Sequence, residues 1–225
     1  ENIKTFYFQG FLNSKPGQFV MLSLPGIGQR PFSISKDGEK EFALTICKVG
    51  EFTQKLFSLR EGSIVYYLGP LGTPFKIKGK HIALVGGGYG SAPLAFLART
   101  CKAKVEFIIG ARKKDLLLYI NDKFPSNINL HYCTDDGSYG LKGRTTDILN
   151  MILSKTNSIN DTPPKKNNLD KIDMIYAAGP EKMMKSVVEI ADRFNVDCQI
   201  SLERYMKCGV GICGSCCVDP EGLRM

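Results

Sequence analysis

The sequence has no apolar run that approaches the roughly 20 residues a helix needs to cross a bilayer. Its first ten residues, ENIKTFYFQG, lack the basic and then apolar layout of a secretory signal. Hydrophobic residues make up 43% of the 225 positions, which is enough to build a buried core. We therefore expect a folded cytoplasmic protein with no membrane span.

Histidine is scarce, and this limits the acid–base chemistry of the chain. The only two histidines, His81 and His131, lie in segments that read as strands. Because histidine is the side chain that most readily exchanges a proton near neutral pH, two structural histidines leave no evident general acid or base. We predict no catalytic residue, and we expect bound cofactors to carry the chemistry.

Positive charge is in excess, with a formal net charge of +8, but no segment forms a dense basic patch. The closest group, Lys165, Lys166 and Lys171, falls in the polar stretch from Ser154 to Lys171, which we predict to be an exposed loop insertion. We therefore expect no nucleic-acid partner. Anionic cofactors or an acidic protein partner account for the charge.

Two patterns divide the chain before residue 201. Up to residue 78, short apolar runs separated by glycine and proline turns predict an antiparallel β-barrel with a helix near 53–59. From residue 79 to 200, strands alternate with helices, which predicts a parallel α/β domain. The predicted strands are 3–8, 18–24, 32–35, 42–49, 64–68, 81–85, 105–109, 129–133 and 172–177, and the α/β helices are 91–100 and 181–194.

A glycine turn, GGGYG at 86–90, joins the first α/β strand to its helix. Such a turn lets backbone N–H groups and the helix dipole meet a phosphate. It departs from G-x-G-x-x-G, since the last position is Ser91 or Pro93, and it is also typical of a tight structural turn. Similar loops at 134–137 and 177–180 are expected at the same edge of the sheet.

The barrel half contains two candidate anion-binding stretches. Arg30-Pro31-Phe32-Ser33 places a permanent cation at the start of a strand, and an arginine fork suits a phosphate. VGEFT at 49–53 is a strand-to-helix turn that offers N–H groups and a hydroxyl. Taken alone, each stretch is more often a surface arginine or a helix cap than an anion site.

Eight cysteines fall into two groups. Cys47, Cys101, Cys133 and Cys198 lie singly in apolar segments, as reduced core thiols do. The others cluster in CGVGICGSCC at 208–217, where Cys208, Cys213 and Cys216 have the C-x4-C-x2-C spacing of a two-iron two-sulfur cluster. A structural zinc site is the competing interpretation, although zinc sites favour paired C-x2-C halves.

RPFS, VGEFT, GGGYGSAPL and AAGPEKM occur in that order and together resemble the ferredoxin–NADP reductase superfamily. The resemblance implies FAD on the barrel and a nicotinamide dinucleotide on the α/β domain. It implies that Arg30 binds the FAD pyrophosphate and that Ser33 approaches the flavin ring. The remaining implied cofactor-binding residues are Pro31, Phe32, Val49, Gly50 and Thr53 for FAD, and Gly87, Gly88 and Gly90 for the dinucleotide.

CTDDGSYGLKG at 133–143 and the segment 201–224 resemble the electron-transfer subunits of two-component dihydroorotate dehydrogenase. The resemblance implies an FMN-containing catalytic partner, which oxidises dihydroorotate in pyrimidine biosynthesis, and a heterotetramer of two subunit types. Electrons would pass through a 2Fe-2S cluster, held by residues 201–225, and FAD to NAD+. The family's fourth cluster cysteine is expected beyond Met225, so either the chain is cut short there or its cluster is incomplete. Because the sequence also starts abruptly inside the predicted first strand, at Glu1-Asn2-Ile3, we expect truncation at both ends.

The nucleotide acceptor and two alternative functions stay open at this point, beside the first hypothesis of a dihydroorotate dehydrogenase subunit. Arg112, Lys113 and Lys114 follow a strand where a ribose is expected, so NADP remains an alternative to NAD. A related FAD and iron–sulfur subunit of a hydrogenase or ferredoxin-linked transhydrogenase is a second hypothesis, although the transhydrogenase pattern has aspartate at the position of Cys208. A third is a zinc-stabilised, non-enzymatic binding module.

Overall fold

The computed structural model describes residues 2–157 and 171–218. They form two compact units, one with the residues up to Phe75 and those from Leu202 onward, the other spanning Lys76–Ser201. The C-terminal cysteine segment therefore belongs to the same unit as the N-terminal strands. No helix in the described ranges is long and apolar enough to cross a membrane. The functional domains predicted at 1–78, 79–200 and 201–225 remain predictions.

The first unit contains an antiparallel five-stranded sheet, as predicted. Its strands are β1 (Ile3–Gln9), β2 (Phe19–Leu24), β3 (Gly28–Asp37), β4 (Glu41–Cys47) and β5 (Tyr66–Leu71), arranged in the order β1-β4-β3-β2-β5. Helix α1 (Glu51–Ser58) follows β4. Strand β4 ends before the predicted Val49, and β5 begins two residues after the predicted Ile64.

Aromatic contacts show how this sheet curls. Phe8 on edge strand β1 stacks on Phe42 of β4 with ring centroids 5.1 Å apart. Tyr67 on the other edge strand, β5, packs against the same Phe42 ring at 5.0 Å. Since both edges contact one fully buried side chain, the sheet is rolled into the barrel that the sequence predicts.

The second unit is a six-stranded parallel sheet with helices, which confirms the α/β prediction. Its elements are β6 (His81–Gly87), α2 (Ser91–Thr100), β7 (Lys104–Ala111), β8 (Ile128–Thr134), β9 (Leu141–Lys142), α3 (Thr145–Thr156), β10 (Met174–Ala178), α4 (Glu181–Phe194) and β11 (Asp197–Ser201). The strand order is β11-β10-β6-β7-β8-β9. Strand β6 lies at the centre, with its seven residues buried.

Helix α3 and strands β9 and β11 were not predicted. Helix α3 overlaps the start of the insertion predicted from Ser154, so Ser154–Thr156 are helical rather than loop. Residues 158–170 of that predicted insertion lie outside the described residues. The helix packs through Ile148, Leu149 and Leu153, which are buried and spaced to share one face.

Candidate cofactor sites

A cavity of about 240 Å³ lies between the middle of β3 and the start of α1. It brings together six of the residues predicted to bind FAD, together with three further ones. The lining residues are Ile27, Arg30, Pro31, Phe32, Val49, Gly50, Glu51, Phe52 and Thr53. Ser33 is exposed and is not part of this lining. No sequence signal pointed to Ile27.

Arg30 supplies the positive charge of this cavity. Its side chain is exposed, and Nη1 donates a hydrogen bond to the carbonyl of Gln29 at 2.7 Å. Within the described residues Arg30 has no carboxylate partner. Since a guanidinium carries five N–H donors, most of them remain available for an anion.

Thr53, which lines the cavity, organises the turn at the start of α1 through its hydroxyl. Thr53 Oγ1 accepts hydrogen bonds from the N–H groups of Val49 at 2.9 Å and Gly50 at 3.0 Å, and it donates to the Gly50 carbonyl at 2.9 Å. These donors are therefore occupied. The first N–H groups of α1, at Glu51 and Phe52, have no acceptor within the helix.

The chemical types of the cavity residues fit a flavin dinucleotide, which carries phosphates. Arg30 and the first-turn N–H groups of α1 are anion donors. The rings of Phe32 and Phe52, 5.8 Å apart, supply apolar surface next to them. The carboxylate of Glu51 on the rim opposes an anion, so Arg30 is the residue that makes the local charge favourable.

In the second unit, the loops after β6, β7, β8 and β10 meet at one edge of the parallel sheet. The strand register pairs Gly87 with Gly110 and Ala111 with Thr134, while Ala178 pairs with Gly86. The carboxyl ends of parallel strands are the usual ligand-binding edge of such a sheet. The three loops predicted to share an edge therefore lie along the same edge, where β7 separates β6 from β8.

The predicted dinucleotide glycines have different surroundings. A Cβ built at Gly87 would lie 2.7 Å from Met183 Sδ, and one at Gly90 would lie 2.5 Å from the Ala178 carbonyl oxygen. Packing against the β10–α4 segment thus explains both glycines without a ligand. At Gly88, φ is +56° and nothing lies within 4 Å of the added Cβ, so this glycine borders open space.

Ser91 begins α2 directly after this turn. Its hydroxyl is fully buried, and no hydrogen-bond partner for Oγ is found within the described residues. An orphaned hydroxyl below a glycine turn at the N-terminus of a ten-residue helix fits a site that receives a phosphate.

The cysteine loop has the donor set of an iron–sulfur site. The N–H of Cys213 donates to Cys208 Sγ at 3.5 Å, and the Cys213 thiol is hydrogen-bonded to Ser215 Oγ at 3.3 Å. The bonds with Ser215 chiefly lower the pKa of Cys213 to about 6, which favours the thiolate that binds metals. A backbone hydrogen bond from Cys213 likewise lowers the pKa of Cys208.

Cys216 is buried, whereas Cys217 is half-buried. In the described part of the chain, no three Cys, His, Asp or Glu side chains converge closely enough to hold a metal ion. The spacing and thiolate chemistry of Cys208, Cys213 and Cys216 nevertheless fit a cluster, because all donors are sulfur and glycines surround them. Gly209, Gly211 and Gly214 each have a φ between +71° and +77°.

The two histidines flank a buried carboxylate. Glu106 Oε1 is 3.1 Å from His81 Nε2, and Oε2 is 2.7 Å from His131 Nε2, while Asn129 donates to Oε1 at 3.0 Å. Burial alone raises the pKa of Glu106, but the hydrogen bonds from His131, Asn129 and His81 lower it to about 2. Both histidines thus have structural partners, and neither lies at the ligand-binding edge.

Comparison with known proteins agrees with this arrangement. Residues 203–224 match the family model described as the iron–sulfur cluster binding domain of dihydroorotate dehydrogenase B. A probable dihydroorotate dehydrogenase B (NAD(+)), electron transfer subunit, of Methanocaldococcus jannaschii is 43% identical, covering 98% of this chain and 80% of that protein. The chain belongs to the family of dihydroorotate dehydrogenase B electron transfer subunits. The homologous subunit of Methanocella arvoryzae is 41% identical, covering 99% of this chain and 81% of that protein.

Solved structures show the same fold. An NADH-dependent reduced ferredoxin-NADP oxidoreductase, studied for flavin-based electron bifurcation, superimposes with a TM-score of 0.80 at 30% identity. The match covers 96% of this chain and 77% of that one. The cytochrome b5 reductase domain of Ulva prolifera nitrate reductase has a TM-score of 0.65 at 15% identity, covering 87% and 88% of the two chains, and shows the fold alone.

Proposed function

We propose that this chain is the electron-transfer subunit of a two-component dihydroorotate dehydrogenase that uses NAD+ as its acceptor. The observation that carries the proposal is the presence, in one compact unit, of an arginine-bearing cavity and three cysteines with cluster spacing. The names of the similar archaeal subunits support the substrate and the acceptor.

Each cofactor is assigned to residues of this chain. Arg30 and the N–H groups of Glu51 and Phe52 would hold the FAD phosphates, and Gly88 with the start of α2 would receive the nicotinamide dinucleotide. Cys208, Cys213 and Cys216 would hold a 2Fe-2S cluster, with the fourth ligand predicted beyond Met225. When bound, a flavin and an iron–sulfur cluster convert between one-electron and two-electron transfer.

The assembly is supported by the names of the similar archaeal proteins. They are electron transfer subunits, which implies a separate catalytic partner. We propose that this partner contains FMN and oxidises dihydroorotate, and that the two subunit types form a heterotetramer. A cytoplasmic location belongs to the same proposal.

A ferredoxin-linked transhydrogenase subunit is the second candidate. The TM-score of 0.80 with the NADH-dependent reduced ferredoxin-NADP oxidoreductase favours it. The greater identity with the archaeal subunits, 43% against 30%, favours the dihydroorotate assignment.

Co-expression with the catalytic subunit tests the proposal. The purified complex should show flavin and iron–sulfur absorption and reduce NAD+ with dihydroorotate, while this chain alone should reduce artificial dyes with NADH but leave dihydroorotate unchanged. Dihydroorotate turnover by this chain alone would contradict the assignment. Ferredoxin-dependent NADP reduction by the complex, without dihydroorotate oxidation, would establish the second candidate instead.

A further inference from the structure

The cysteine loop packs directly on the barrel sheet at Gly209. A Cβ built at this glycine would lie 2.7 Å from Met21 Cγ and 3.0 Å from Leu71 Cδ1. At 2.7 Å a Cβ is closer than such atoms approach in folded proteins, so an alanine would force the loop away from the sheet. The φ of Gly209, +71°, also belongs to the left-handed region that glycine adopts without strain.

Met21 connects this contact to the flavin cavity. The side chain is only 1% exposed, so it has little room to move away from the loop. In the sheet, Met21 on β2 lies directly opposite Pro31 on β3, and opposite residues of antiparallel strands share a face with their Cβ atoms about 4.5 to 5.5 Å apart. Pro31 lines the cavity. The loop at Gly209 is therefore packed against a side chain that lies opposite the cavity wall in the sheet.

We propose that Gly209 and Met21 are positioning residues that set the placement of the cysteine loop relative to the flavin cavity. The inference rests on the proposed function, because only there does this placement govern electron exchange. Gly209 follows Cys208 in the chain, so a first turn docked on Met21 also places the first sulfur ligand. A misplacement of about 1 Å can slow a reaction by about a hundredfold, which makes a rigid docking point valuable.

The test compares two glycines of the same loop. Gly209→Ala and Gly214→Ala carry the same backbone strain, since φ is +71° and +73°. They differ in steric contact, because a Cβ at Gly214 meets only Cys217 Sγ at an ordinary 3.8 Å. Any effect specific to Gly209→Ala therefore reports the contact with the sheet.

Hydrogen exchange of the cofactor-free chain measures the docking without any redox activity. We expect Gly209→Ala to speed amide exchange across 206–217 and in β2 by about tenfold, because local opening follows lost packing. In Gly214→Ala, the amide exchange rates of β2 should stay within about threefold of the wild-type rates. Equal exchange in the two variants would overturn the proposal.

The complex with bound cofactors gives the functional readouts. We expect Gly209→Ala to slow reduction of the cluster by NADH about tenfold or more, with flavin content unchanged. Iron release to a chelator should become about tenfold faster, as for other residues that support metal ligands. Gly62→Ala is the control for both rates, because Gly62 lies outside the cysteine loop and the cavity, has a φ of +84° and has nothing within 4 Å of an added Cβ.

Shortening Met21 should relieve the clash. The double variant Gly209→Ala with Met21→Ala is expected to recover cluster reduction to within about threefold of Met21→Ala alone, which is the double-mutant signature of direct coupling. Two additive defects would overturn the proposal.

If Gly209→Ala does not fold, Leu71→Ala tests the same contact at a half-buried site. It must then speed amide exchange in the loop, and an unchanged exchange rate would refute the contact. A wild-type complex without flavin or cluster would instead refute the proposed function, and the exchange comparison would still test the docking.

Discussion

Replacing Thr53 with valine should loosen the turn that carries the flavin-phosphate donors. Valine has the same shape as threonine but lacks Oγ1, which accepts from Val49 and Gly50 and donates to the Gly50 carbonyl. Thr53 is only 6% exposed, so water cannot easily replace the missing oxygen. We expect a loss of about 2 kcal/mol of local stability, which corresponds to about a 30-fold change in an opening equilibrium.

Hydrogen exchange at the Val49 and Gly50 amides of the flavin-free chain measures this opening directly. Thr53→Val should speed their exchange about 30-fold, and Thr53→Ser, which keeps the hydroxyl, should remain within about threefold of wild type. FAD affinity should fall in parallel with the loss of amide protection, because the neighbouring N–H groups of Glu51 and Phe52 lose their fixed direction.

A direct contact between the Thr53 hydroxyl and the flavin predicts a different pattern. In that case Thr53→Val would weaken FAD binding while leaving the two amides of the flavin-free chain fully protected. That result would refute the assignment of Thr53 to the turn.

Three further predictions follow from the sites. Arg30→Ala should weaken FAD retention at least about tenfold through loss of a charge-assisted contact, measured by flavin release on dilution, with the exposed Arg60→Ala as control; full retention would contradict the flavin site. In the full-length subunit, Cys217→Ala should keep the iron–sulfur spectrum while Cys216→Ala loses it, and bleaching by Cys217→Ala with flavin bound would overturn the ligand assignment. The low pKa of Glu106, about 2, means that its carboxylate stabilises the fold above its ordinary pKa of 4.5 and that this contribution is lost as the pH falls towards 2. In urea unfolding, Glu106→Gln should therefore be less stable than wild type at neutral pH and show a flatter acid limb; an unchanged acid limb would contradict this role.

Much of the fold could be predicted because the apolar periodicity of each half is clear. The failures have physical reasons. Strand β11 is an edge strand whose inner residues, such as Ile200, are only half-buried, so its pattern is weak. The spacing of Ile148, Leu149 and Leu153 is typical of a helix. The polar stretch after Thr156 gave no clear end to that helix, so the segment was not predicted.

The sites show a different limit of sequence reasoning. Arg30 and the 49–53 turn are separated by a whole strand, and their order along the chain predicted that they act together, which the shared cavity is consistent with. The spacing of these motifs in the sequence gave no information on which groups hydrogen-bond to each other. Thr53 was predicted as a donor to phosphate because it stands at a helix start, yet its own backbone competes for the same oxygen.

Glycine is the residue type whose role sequence could resolve least. Gly87, Gly88 and Gly90 look equivalent in GGGYG, but an added Cβ at Gly87 or Gly90 would clash with the β10–α4 segment, and of the three only Gly88 borders open space. The same distinction separates Gly209, held against Met21, from Gly214, which meets only a sulfur at van der Waals distance. The sequence does not show which neighbouring atoms make a glycine necessary. Only the packed structure distinguishes a glycine that leaves room for a ligand from one that leaves room for another part of the chain.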